Sequence, residues 1–91
     1  IYLNKAVNIY EIHPEYSGIY IWNDNGRILV YGDGTHRLQK VRVSDKERNL
    51  IEEQEFDSNV LVFDKNIRKG RYTVDIQVED LWIRDFITDI K

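Results

Sequence analysis

Alternation with a period of two residues constrains this chain more than any other feature. In Arg71-Tyr72-Thr73-Val74-Asp75-Ile76-Gln77-Val78, the apolar residues Tyr72, Val74, Ile76 and Val78 occupy one face of an extended strand. Arg71, Thr73, Asp75 and Gln77 occupy the other, so one side meets a core and the other meets water. The same pattern returns in Gln39–Ser44, where Val41 and Val43 point in and Lys40 and Arg42 point out. No long window shows the i, i+3, i+4 spacing of an amphipathic helix, and the expected fold class is all-β. At 91 residues the chain has room for one domain, 1–91.

Between Gly18-Ile19-Tyr20-Ile21-Trp22 and Arg27-Ile28-Leu29-Val30-Tyr31 lies Asn23-Asp24-Asn25-Gly26. Asn-Gly is the favoured pair for a two-residue hairpin loop, because both positions need positive φ. A loop at Asn25-Gly26 pairs Asp24 with Arg27, Trp22 with Leu29, Tyr20 with Tyr31 and Ile21 with Val30. Both faces of the hairpin then carry apolar groups. Either its second face is covered, or it offers a contact surface to something else.

Further strands are expected at Leu50–Phe56, where Glu52, Glu53 and Glu55 guard an edge and a short helix is the alternative, and in the short apolar run Asn59–Phe63. A last strand follows the Glu79-Asp80 turn; strict alternation places Trp82, Arg84, Phe86, Thr88 and Ile90 on one face, with Trp82 and Phe86 in the core. Ala6–Ile12 reads as a first strand before His13-Pro14 interrupts it. Turn signals about every 8–12 residues then give seven or eight antiparallel strands in a sandwich or barrel. Its expected core is Val41, Val43, Val62, Tyr72, Val74, Ile76, Val78 and Phe86.

Composition narrows function mainly by exclusion. Thirteen Lys and Arg against sixteen Asp and Glu leave a net charge of -3, which argues against nucleic acid as a partner. With no cysteine there is no disulfide, thiolate nucleophile or thiolate metal site. No apolar run approaches the roughly 20 residues of a membrane-spanning helix, so no membrane insertion is expected. The chain starts at Ile1 and holds no methionine, as expected of a processed or excised piece.

Candidate chemistry is sparse. His13 and His36 sit beside turn signals, and Ser17, Ser44 and Ser58 have no nucleophile-elbow context, so no catalytic residue is assigned. The carboxylates Glu52, Glu53, Glu55 and Asp57 suit a soluble sheet edge better than a desolvated acid–base pair. Asn23–Gly26 and Gly32-Asp33-Gly34 carry hard oxygen ligands but lack the spacing and closing Glu of a calcium loop, and no metal site is assigned. No phosphate loop is present, and no cofactor is expected. Lys65, Arg68, Lys69 and Arg71 cluster at a turn, as solvated charges do. Tyr20, Trp22 and Tyr31 remain: they project together from the hairpin, either as core or as a binding surface for a protein or a glycan.

The order of segments from Lys40 to Val78, with Gly70-Arg71-Tyr72 opening a late strand, resembles small immunoglobulin-like β-sandwich modules of secreted Bacteroidetes-type proteins of unknown function. A weaker resemblance is to the C-terminal sorting domains of type IX secretion cargo. The expected Asn-Pro of that family is missing, since the only proline is Pro14, and the chain continues past Val78 with a further strand. The resemblance implies an immunoglobulin-like sandwich, secreted or held at a cell surface. The expected function is a non-enzymatic protein-interaction or accessory module that meets a protein partner or a second copy. The alternative is a carbohydrate-binding module using Tyr20, Trp22 and Tyr31.

Overall fold

A computed structural model describes residues 2–3, 7–56 and 60–91. Eight strands run in chain order: β1 (Val7–Asn8), β2 (Ile19–Asp24), β3 (Arg27–Asp33), β4 (Leu38–Asp45), β5 (Leu50–Glu55), β6 (Val60–Asn66), β7 (Gly70–Val78) and β8 (Leu81–Ile90). They form two antiparallel four-stranded sheets, ordered β1-β2-β3-β6 and β5-β4-β7-β8. The chain changes sheet between β3 and β4, between β5 and β6, and between β6 and β7.

The alternating segments build these strands because one face of each sheet buries against the other. Ile19, Ile21, Ile28, Val30 and Phe63 of the first sheet join Leu38, Val41, Val43, Val74, Ile76, Val78 and Phe86 of the second in one buried cluster. The arrangement is a β-sandwich-like fold. Tyr72 is buried with them at 7% exposure, so the expected core residues lie inside. The exception in kind is Val62, whose side chain is outside the described residues, as are Ala6, Asp57, Ser58 and Asn59. Across the open side between β2 and β8, Asn23 Nδ2 donates to Thr88 Oγ1 at 2.9 Å and to the Asp89 carbonyl at 3.0 Å. This tie satisfies Thr88, a buried polar side chain.

The Asn25-Gly26 hairpin has the expected register, from Asp24 opposite Arg27 to Tyr20 opposite Tyr31. Both loop residues take positive φ, 48° at Asn25 and 85° at Gly26, as the primed turn requires. Glu79-Asp80 makes a second two-residue loop with φ of 49° and 69° and no glycine. Gln39 holds it from the neighbouring strand: its Nε2 donates to Asp80 Oδ1 at 2.7 Å, and its Oε1 accepts from the Asp80 N–H at 2.6 Å.

Two expectations are corrected. The first strand shrinks to Val7–Asn8, because the Asn8 side chain accepts from the Tyr10 N–H and starts a 3-10 turn over Ile9–Glu11. In β8 the partners step from Val74↔Phe86 to Ile76↔Ile83, so two residues oppose Asp75. This is a bulge, with Asp85 at φ 69° and its N–H bonded to Asp75 Oδ1. The extra residue reverses the alternation. Ile83 therefore faces inward with Phe86, while Trp82 leaves the core for the outer face, its ring under the guanidinium groups of Arg42 and Arg84.

Charge pairs on the surface set an acid dependence. Bidentate hydrogen bonds from Arg27 hold the Asp64 carboxyl below the ordinary range, and Arg71 does the same for Asp89. Thr35 lowers Asp33, and the Asn49 N–H lowers Asp45. A depressed carboxyl contributes stability above its unfolded value, about 3.9, and loses that contribution as pH falls through the folded value. Thermal melts should therefore be level from about pH 7 to pH 5 and fall steadily below about pH 4. A flat profile down to about pH 2 would show these bonds contribute nothing.

Candidate functional site

The aromatic residues of the hairpin stand on the outer face of the β1-β2-β3-β6 sheet. Alternation dictates this: Ile19 and Ile21 point to the core, so Tyr20 and Trp22 point away. Tyr20 and Tyr31 form a cross-strand pair with ring centroids 6.4 Å apart, tilted by 37°, and exposures of 37% and 39%. Trp22 is half-buried opposite Leu29, and Leu29 is buried on this outer face, apart from the main core cluster. The result is an apolar strip with Leu29 at its base and two tyrosines in solvent.

At its border the polar groups are already engaged. Arg27 Nη2 lies 2.7 Å from Asp64 Oδ2 and Nε 3.0 Å from Oδ1, with Asp24 4.0 Å from Nη1. Asn23 faces the opposite way and ties the two sheets together. A sugar stacked on the strip would also need polar groups for its hydroxyls, and Asn23 and Arg27 of this hairpin are thus occupied. No family model, no curated protein and no solved structure matches this chain.

The other candidates do not converge. His36 Nδ1 lies 2.9 Å from Glu79 Oε1 and its ring meets Tyr16 edge-on at 5.2 Å, whereas His13 pairs with Glu15 at 3.3 Å. Glu53 and Glu55 share the outer face of β5 and neutralise Lys40 and Arg42 across the strand pair, with Lys40 Nζ 3.1 Å from Glu55 and Arg42 Nε 2.9 Å from Glu53. Asp33 Oδ1 caps the Thr35 N–H in its own turn. Among the described residues no three His, Asp or Glu side chains gather as a metal ion would need, and no helix is long and apolar enough to cross a membrane.

Sequence reasoning missed Leu29 as the floor of the strip and the Arg42–Trp82–Arg84 stack on the opposite outer face. The first was readable from the hairpin register; the second depends on the bulge. Because Trp22 is only half-buried, Trp22→Ala should cost about 1 kcal/mol of stability, against the about 3–5 kcal/mol of a core Trp. Urea denaturation of the two proteins checks this.

Proposed function

We propose that the chain is a non-enzymatic protein-interaction or accessory module, an immunoglobulin-like sandwich whose docking surface is the outer face of the β2–β3 hairpin. The observation that carries the reading is the exposed Tyr20–Tyr31 pair beside Trp22, an aromatic strip whose bordering charges already neutralise one another. Tyr and Trp supply large contact area at low entropic cost, as protein interfaces use them. The three sheet changes and the order of the strands support the immunoglobulin-like assignment. A secreted or cell-surface setting rests on the resemblance to secreted sandwich modules.

Photo-cross-linking from a benzophenone side chain placed at Tyr31, in the cells that make the protein, tests the reading. A discrete adduct should form from position 31, vanish with Tyr20→Ser, and be absent when the probe is moved to Glu47. Identical adducts from both positions, or none from position 31, overturn it. Carbohydrate binding is the second reading, favoured by two exposed rings on one sheet face. The 37° tilt and the engagement of Asn23 and Arg27 weigh against it. Affinity electrophoresis on polysaccharides decides: retention of the wild type and loss with Tyr20→Ser at unchanged melting temperature would establish it.

A further inference from the structure

The topology sorts the charged loops to opposite ends of the sandwich. One end gathers the β2–β3 loop, the β4–β5 turn, the β6–β7 connection and the end of β8. Over 24–27, 45–49, 64–71 and 89–91, eight Lys and Arg face five Asp and Glu, a net of +3. Six of those cations, Lys46, Arg48, Lys65, Arg68, Lys69 and Lys91, have no ion-pair partner among the described residues. The opposite end gathers the 3-10 turn and its following loop, the β3–β4 connection and the β7–β8 loop. Over 9–18, 33–40, 55–56 and 79–81, six Asp and Glu face two Lys and Arg, a net of -4 with both histidines neutral. Glu11, Glu15, Asp33, Glu79 and Asp80 are all exposed there.

The molecule is 32 Å long, whereas charges are screened over about 8 Å at physiological ionic strength. The two poles thus do not neutralise each other within one chain. A second molecule does so in contact, where screening is weakest. We propose that copies of this chain dock head to tail, the basic end of one on the acidic end of the next. A copy is the occupant the charges favour, because a single molecule carries both complements at nearly equal magnitude. Such a contact is heterologous and repeats along the axis instead of closing as a two-fold dimer does. The cross-section of 23 × 19 Å limits it to roughly 440 Å² per copy, about half a standard interface, so it is weak and salt-sensitive. This inference does not depend on the aromatic strip.

Sedimentation equilibrium over a wide concentration range tests it with two charge-reversal variants. Lys46→Glu/Lys69→Glu takes the basic end to -1 and leaves both ends acidic, and Glu11→Lys/Glu15→Lys/Glu55→Lys takes the acidic end to +2 and leaves both ends basic; Arg68→Glu/Lys91→Glu replaces the first pair if it does not fold. In about 20 mM salt the wild type should associate, and in about 300 mM salt the association should weaken at least tenfold. Each variant alone should remain monomeric, and an equimolar mixture should pair. A wild type that stays monomeric in low salt overturns the proposal. So does association that survives in both variants but is lost with Tyr31→Ser, which assigns the contact to the aromatic strip.

Discussion

Phe86→Ala is expected to remove about 3–5 kcal/mol of stability, the largest loss foreseen for a single side-chain truncation in this chain. Phe86 is 1% exposed and, with Phe63, heads the fully buried side chains by volume. It sits opposite Val74 on the inner face of the β5-β4-β7-β8 sheet, where β8 has just passed its bulge. Truncation removes the transfer energy of the ring and leaves a cavity that the two sheets only partly close. A domain of this length has on the order of 5–13 kcal/mol in total, so the variant should unfold at a much lower urea midpoint. Trp82→Ala is the control, since strict alternation along β8 would put both aromatics in the core. On the outer face beneath two guanidinium groups, Trp82 should cost no more than about 1–2 kcal/mol. Equal losses for the two variants would refute the bulged register.

The contrast between these residues shows what could be read from the sequence and what resisted reading. The hairpin was legible to the residue because Asn25-Gly26 permits only one short loop, and a loop of two residues sets every pair that follows. In β7 the alternation is unbroken, and Tyr72, Val74, Ile76 and Val78 are buried as the pattern requires. The β8 bulge left no such mark. Its left-handed residue is Asp85, which also fits an ordinary outward position, and glycine would have been the usual signal. At the start of the chain, Val7–Ile12 has strand-like residues, but Asn8 caps the next turn locally and ends the pairing after two residues.

The aromatic strip was legible as a face and not as a surface. Periodicity shows that Tyr20, Trp22 and Tyr31 share a side, but it carries no information on whether another layer covers that side. The structure supplies the missing fact: the core of the sandwich lies on the Ile21 side, and the two tyrosines stand in solvent. The end-to-end charge separation was hidden for a related reason. The basic cluster at Lys65–Arg71 was visible as a local run, but its neighbours Lys46 and Arg48 join it only through the pairing of Asp45 with Tyr72.

Gly18→Ala should cost more than the about 1–2 kcal/mol of its backbone conformation alone, even though it adds a single methyl group. Gly18 is buried at φ 78°, a left-handed conformation that costs an alanine about 1–2 kcal/mol. The new Cβ would also land on the Asp33 carboxylate. That carboxylate accepts the Thr35 N–H at 2.9 Å, while the Asp33 N–H donates to the Gly18 carbonyl at 3.0 Å, so the two chain segments are locked at close range. Moving the carboxylate aside breaks the Thr35 bond, a further loss on top of the backbone cost. The double variant Gly18→Ala/Asp33→Ala separates the two parts. With no carboxylate to displace, Gly18→Ala in the Asp33→Ala background should retain only the backbone cost, and the two losses should sum to more than the double variant shows. Thr35 also holds the Asp33 carboxyl below its ordinary range, so Gly18→Ala should lose part of the stability difference between pH 7 and acid. Strictly additive losses with an unchanged acid profile would mean that the methyl group is accommodated without moving Asp33, and that backbone conformation alone explains the glycine.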